Sequence, residues 1–336
     1  MYSKVVKVFI INLLLITNLI CKAQAVNHKS SIYQPVGIYA LVKESPQKHL
    51  KDSISSLNNK RVVIIGATNI SIWAASFVIL NKTWYSKYPR SAFHFYNDMP
   101  EWKKMDKIGH LWTNYHVTRL SVEMWRWTGL PDKKSLILGG ISGVAYQSII
   151  EIQDGFSAEW GFSWPDMTSN ILGAAVFVAQ ELQWHQQRVQ IKMGYWPYKY
   201  PSDMTGRRNE LFGSSQQERI LKDYNSQTYW ASTSLAGLFP SAHFPAWLSV
   251  SVGYGADGMY GGTVNRWKDK MGNPQNRTDI KRTRHFYLAP DIDLTRIKTK
   301  SKLLGTVFYV VNMIKVPAPA IELSSKGSLK FHYLKF

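Results

Sequence analysis

"MDKIGHLWTNYH", residues 105–116, sets charged groups at the head of a stretch that otherwise reads as a buried helix. Asp106 and His110 are four apart and share one helical face, with Lys107 one residue off it. The helical pattern runs from Asp106 to Trp127 and is ended by Gly129-Leu130-Pro131. A second helix is expected from Lys134 to about Asp154. Its Gly139, Gly140, Gly143 and Ala145 permit close helix packing. A third starts at Pro165-Asp166 with Ser163 as its N-cap and runs to about Gln190.

These helices carry matching polar stripes. Gln147, Glu151 and Asp154 fall at i, i+4 and i+7, and Asp166 and Asn170 are again four apart. Buried carboxylates are costly unless paired, protonated or bound to a cation. The arrangement of lowest cost points the stripes at one another, with Lys107 neutralising a carboxylate at the edge. Asp106, Lys107, His110, Glu151, Asp154, Asp166 and Asn170 are therefore the candidate site. Asp106, His110, Glu151 and Asp166 suit a divalent metal by residue type. Each also has a structural reading: Asp166 can support its helix start through the dipole, Asp154 sits in the turn "QDGF", and His110 can be a core histidine. No nucleotide or haem motif accompanies them. "GYGADGMYGG", 253–262, lacks the phosphate-loop spacing and reads as a turn between strands.

The same residues carry a resemblance. "DKIGH" and "EIQDGFSAEWGFSWPDMTSNILG" (151–173) resemble the YfiM-like family of bacterial envelope proteins. Its Asp-Lys-x-x-His, Glu-x-x-Asp and Ser-x-x-Asp-x-x-x-Asn-x-x-Gly elements fall on Asp106, Lys107 and His110, on Glu151 and Asp154, and on Ser163, Asp166, Asn170 and Gly173. The order is similar, more distantly, to VanZ-like membrane proteins. The resemblance covers residues 100–190 and implies a location and a motif rather than a reaction.

The flanks speak to address. Residues 1–25 read as a signal peptide: Lys4 and Lys7, an apolar run from Val8 to Ile20, and an Ala23-Gln24-Ala25 cleavage pattern. The competing reading is a lipoprotein signal at Cys21, preceded by the bulky Ile20. The formal charge is +19, and loss of Lys4, Lys7 and Lys22 with the signal leaves +16 (19 less 3). Such a balance suits anionic membrane surfaces or nucleic acid, and an exported address argues against nucleic acid. The 13 Trp and 18 Tyr fit a membrane interface. Residues 26–59 read as a flexible lead-in. "RVVIIGATNISIWAASFVILNKTWY" (61–85) holds 20 uncharged residues between Arg61 and Lys82, enough to cross a ~30 Å hydrocarbon layer at ~1.5 Å per residue.

The texture changes after Tyr195. "SQTYWASTSL", "AWLSVSVGYG", "RHFYLAPDIDL" and "SLKFHYLKF" are rich in β-formers, and "KSKLLGTVFYVVNMIKVPAPA" (300–320) reads as one late helix. The expected fold is mainly α: a bundle of about four helices, one of them long enough to span a membrane, in 60–192, then a mixed, strand-containing region in 193–336. Three functions compete: an envelope binding or scaffold protein whose partners are anionic membrane lipids or another envelope protein; an enzyme acting on an amphiphilic envelope lipid or cell-wall precursor; and an outer-membrane barrel component. No Ser-His-Asp order or zinc helix motif raises the enzyme case.

Overall fold

The computed structural model describes residues 57–83 and 85–336. The expected signal peptide and nearly all of the lead-in lie outside the described residues. The chain divides into two units that do not follow chain order. One, helical, holds residues up to Tyr96 together with Thr113–Gln187 and Thr295–Val310. The other holds Asn97–Trp112, Arg188–Leu294 and Val311–Phe336.

The helical unit starts with α1, Asn59–Thr83. Helix α2, Met105–Arg126, contributes its second half, from Thr113 onward. Helices α3 (Asp132–Gly155) and α4 (Trp164–Trp184) follow. The close packing expected of the α3 glycines is found: a Cβ on Gly139 would lie 2.7 Å from the Val122 nitrogen, and one on Gly143 would lie 2.5 Å from the Thr118 hydroxyl. Helix α4 stops at His185, which takes a left-handed conformation (φ 52°), several residues short of Gln190. Helices α1 and α3 are long and apolar enough to cross a membrane, by length and composition.

This unit buries polar side chains beside apolar ones such as Val122, Leu136 and Phe177. Helix α3 buries Ser135, Ser142, Gln147 and Glu151, and α4 buries Asn170, Gln180 and Glu181. Ile137, Ile141, Ile171, Leu172 and Leu182 of the same helices are exposed, as are Val63, Ile70 and Phe77 of α1. Arg126, at the end of α2, ties Glu123, Asp132 and Glu181 together at 2.7–2.8 Å.

The other unit corrects the expected architecture. Among the described residues the chain forms eight α-helices and a six-stranded antiparallel sheet, not a mainly α bundle of about four helices. The sheet strands are β1 (Val189–Tyr195), β2 (Gln227–Ser234), β3 (Leu248–Asp257), β6 (Thr283–Ile292), β7 (Ala318–Ser324) and β8 (Leu329–Lys335), in the order β1-β2-β3-β6-β7-β8. Strands β4 (Arg266–Lys268) and β5 (Pro274–Asn276) form a separate pair. The short helices are α5 (Thr205–Phe212), α6 (Gln216–Lys222, with a Ser215/Glu218 capping box) and α7 (Leu235–Leu238). The eighth, α8 (Lys302–Val311), returns to the helical unit and ends six residues before Pro317. Four strands stand where the β-rich stretches were read. Strands β1 and β7 were missed, because "VQIKMGY" continues the helical pattern before it and "APAIELS" follows prolines. Strand β1 is decided by partners more than 30 residues away, and β7 by β6, also more than 30 residues away, together with β8, so local pattern cannot supply them. The expected 192/193 boundary falls inside β1.

The start of α2 packs on this sheet. Met105, Met193, Tyr229, Ala256 and Met259 form a buried core, bordered by Trp102, Ile108 and Trp112. The approach is anchored at the backbone: Trp102 N donates to Gly262 O (2.7 Å), and the Tyr254 hydroxyl donates to Lys103 O (2.5 Å). Trp102, Lys103 and Lys104 all take positive φ (45°, 53° and 69°), a run that non-glycine residues rarely adopt without such anchors.

Candidate functional site

The helical unit assembles the acidic residues that follow α2. Ser163 caps α4 by accepting from Asp166 N at 3.1 Å, while its own backbone N donates to Glu151 Oε2 at 3.4 Å. That one residue therefore ties the Glu151 face of α3 to the first turn of α4. Carboxylate oxygens of Glu151 and Asp166 lie within 4.8 Å of each other, and both side chains are buried. One turn on, Gln147 Nε2 donates to Asn170 Oδ1 (3.3 Å), and Asn114 Nδ2 donates to the Asn170 carbonyl (2.5 Å). Asn114 stands four residues after His110 on the face that Asp106 and His110 begin.

Asp154 meets Tyr85. It is half-buried and accepts from the Tyr85 hydroxyl at 2.7 Å. Burial, then the charge of Asp154 with its hydrogen bond, then Glu151, push the Tyr85 phenol far above its ordinary range, so it stays a donor. Tyr85 carries no motif signal; its role follows from the meeting of two chain segments 69 residues apart.

The sheet unit holds the other acidic group. Lys107 Nζ lies 2.6 Å from Asp98 Oδ1 and 2.9 Å from Asp106 Oδ2, and oxygens of the two carboxylates are within 4.8 Å. Asp106 and Lys107 are buried, and His110, one turn on, is half-buried. Asp98 was not singled out from sequence, since it precedes the helix and shares no periodicity with it.

Two ionic groups inside the sheet also escaped the sequence reading. Lys192 Nζ lies 3.0 Å from Asp291 Oδ2, and Lys315 Nζ lies 3.5 Å from Asp291 Oδ1; all three side chains have zero exposure. Glu322 meets His285 Nδ1 at 2.9 Å and His332 Nε2 at 2.7 Å, and His285 Nε2 meets Asp257 at 3.1 Å. The signal is visible in hindsight along β6, where Thr283, His285, Tyr287 and Asp291 alternate with Phe286, Leu288, Pro290 and Ile292. A surface hollow lined by Asp203, Arg207, Trp267 and Arg277 shares no residue with any of these groups.

Chemically, two buried carboxylates within 4.8 Å do not both stay ionised without a counter-charge. In the Asp98–Lys107–Asp106 group Lys107 supplies a cation to both carboxylates. The Glu151–Asp166 pair can be relieved by a shared proton or by a cation.

A family model described as a predicted periplasmic lipoprotein family, DUF2279, matches residues 95–181. No curated protein and no solved structure matches the chain. The matched range contains all seven candidate residues. Its description names no reaction and no ligand, and it agrees with the export signal: the chain is an exported, envelope-associated protein.

Proposed function

We propose that this protein is a membrane-associated binding or scaffold protein of the cell envelope, in which the polar groups around Asp106, Lys107 and His110 in one unit, and around Glu151, Asp154, Asp166 and Asn170 in the other, serve packing. The observation that carries the reading is the surface of the helical unit: α3 and α4 bury Gln147, Glu151, Asn170 and Gln180 while Ile137, Ile141, Ile171, Leu172 and Leu182 are exposed. In water this distribution opposes the hydrophobic effect; against lipid it follows it. The resemblance to YfiM-like and VanZ-like envelope proteins, on the same residues, points the same way. For the packing role, helix spacing is the support: His110 and Asp106 lie one and two turns before Asn114 on one face of α2, and Asn114 reaches the Asn170 carbonyl.

Anionic lipid is the partner this reading names. Lys298, Lys300 and Lys302 are exposed and contribute attraction, while the apolar helices contribute a part that salt does not remove. The test is flotation of the purified protein with vesicles of phosphatidylcholine alone and of phosphatidylcholine mixed with phosphatidylglycerol. Binding to both, stronger to the anionic vesicles at low salt, is the expected result. Protein that remains in the aqueous fraction with either vesicle overturns the reading.

A second reading, an enzyme on an amphiphilic envelope molecule, draws on the Glu151–Asp166 pair, which suits a hard divalent cation. Burial of both carboxylates favours the packing role over an open catalytic site. Elemental analysis of protein purified from membranes separates the two: stoichiometric Mg or Ca that is lost in Glu151→Gln and Asp166→Asn favours the enzyme, and metal-free, stably folded protein favours the scaffold.

A further inference from the structure

We infer that the outer face of β3, β6, β7 and β8 is seated in the acyl chains of a bilayer. The inference deepens the membrane reading above and rests on it, by naming a surface that the helices do not define.

The register makes the case. Antiparallel partners share a face, so Val252, Leu288, Ile321 and Phe331 form one continuous row across four strands. Phe286, Leu323 and Leu329 form the next, which ends at Tyr254, where the segment before α2 covers the sheet. Val252, Leu288, Ile321 and Phe331 are 59, 49, 47 and 60% exposed. No charged side chain interrupts either row. The opposite face carries the ionic groups already described, Lys192 with Asp291 and Lys315, and Glu322 with His285 and His332, set around the buried rings of Trp230 and Tyr287. A water-soluble sheet has the reverse polarity, apolar in and charged out. Polar inside and apolar outside is what a sheet in lipid requires.

Three further observations choose lipid over a protein partner. Protein interfaces mix polar groups into their apolar area, and these rows carry none but the Tyr254 hydroxyl. The edges of the sheet are drawn together. Phe336 stacks on Trp196 (5.5 Å), its carbonyl accepts from the Thr228 hydroxyl (2.6 Å), and its backbone lies where a Cβ on Gly194 would stand. The segment after α8 pairs with β1 through Met193 N to Met313 O (3.0 Å) and Lys315 N to Met193 O (2.9 Å). Lipid leaves unpaired strand edges unsatisfied, so curling and pairing of this kind suit it. Finally, the β2–β3 connection, "LAGLFPSAHFPAW" (235–247), exposes Leu238, Phe239, Phe244 and Trp247, while Lys281, Arg282, Arg284 and Lys326 stand at the other end of the strands. Aromatic and basic residues at opposite strand ends match the two interfaces of a bilayer. The ten residues of β3 and β6, at ~3.3 Å each and tilted by ~45°, rise ~23 Å, close to the ~25 Å apolar band of membrane sheets.

The experiment uses the full-length chain with Cys21→Ser, which removes its single cysteine. Leu288→Cys and Ile321→Cys are compared with Lys268→Cys in the separate β4–β5 pair, each labelled with an environment-sensitive fluorophore. The variants are bound to vesicles of phosphatidylcholine and phosphatidylglycerol, with near-ultraviolet circular dichroism as the check on folding. Labels at 288 and 321 are expected to be quenched by lipid carrying a nitroxide on its acyl chain and shielded from iodide, with the reverse at 268. Iodide quenching at 288 and 321 in vesicle-bound protein overturns the inference and leaves membrane association standing. Shielding from both quenchers shows a protein, or a second copy of this chain, covering the face and overturns it equally. Protein that does not float with vesicles sinks both readings. If the Leu288→Cys or Ile321→Cys chain misfolds, Val252→Cys and Phe331→Cys carry the same test on the same row.

Discussion

Lys107 is the residue on which the ionic balance of 97–112 turns. Its ammonium stands between Asp98 and Asp106 at 2.6 and 2.9 Å, and its side chain is only 7% exposed. Replacing it by Met keeps most of the volume and removes the charge. Two carboxylates are then left close together out of water, and breaking such a buried group costs on the order of 3–5 kcal/mol. Urea unfolding of Lys107→Met followed by tryptophan fluorescence checks this, and a change near zero would mean that the group is solvated. Asp106→Ala is expected to lose less, because Asp98 remains to satisfy Lys107. Tyr85→Phe tests the other acidic group at this scale. It removes the donor to Asp154 (2.7 Å) and is expected to lower stability by about 1–3 kcal/mol, the cost of a half-buried carboxylate stripped of a hydrogen bond. The same loss in an Asp154→Asn background would show that the pair does not interact.

At the scale of elements, α3 offers adjacent glycines with opposite expectations. A Cβ on Gly139 would meet the Val122 backbone at 2.7 and 2.8 Å, so α3 and α2 must part to admit it. A Cβ on Gly140 would sit 3.4 Å from a Val178 methyl, at the edge of ordinary contact. Gly139→Ala should therefore destabilise by about 1–3 kcal/mol, as overpacking does. Gly140→Ala should be neutral or stabilising by up to ~1 kcal/mol, since alanine favours the helix. Thermal melts of the two variants side by side decide it, and equal melting temperatures would show that α3 and α2 are not in close contact at Gly139. Elements also set what could be read in advance. Helices α2, α3 and α4 are legible because their period, their glycines and the Ser163 cap are local. Strand β7 is not, because its identity depends on lying between β6 and β8.

For the molecule as a whole, the charge of +19 divides by position. Lys192 and Lys315 are consumed inside the sheet, where Asp291 and backbone carbonyls hold them. Lys298, Lys300 and Lys302 remain exposed. Each basic residue near an anionic surface contributes roughly 1 kcal/mol. Their combined replacement by Gln should thus weaken binding to anionic vesicles by roughly 3 kcal/mol at low salt, on the order of 100-fold. At high salt, where the Debye length is ~3 Å, triple variant and parent should bind alike. A variant that binds as well as its parent at low salt would assign the anionic-lipid contact to other residues.

The sequence by itself determined the three polar-striped helices and the β-rich character of the second half. These are local: a periodicity, a cap, a spacing of four. Tertiary structure alone decided that six strands make one sheet, that Asp98 joins Lys107, that the Tyr85 hydroxyl bonds Asp154, and that the charges of β6 and β7 point inward. The alternation of His285, Tyr287 and Asp291 with Phe286, Leu288 and Pro290 specifies two faces and not which of them is buried. Only the partner strands, the curl that brings Phe336 to Gly194 and the burial of Lys192 and Lys315 with Asp291 supply that sign.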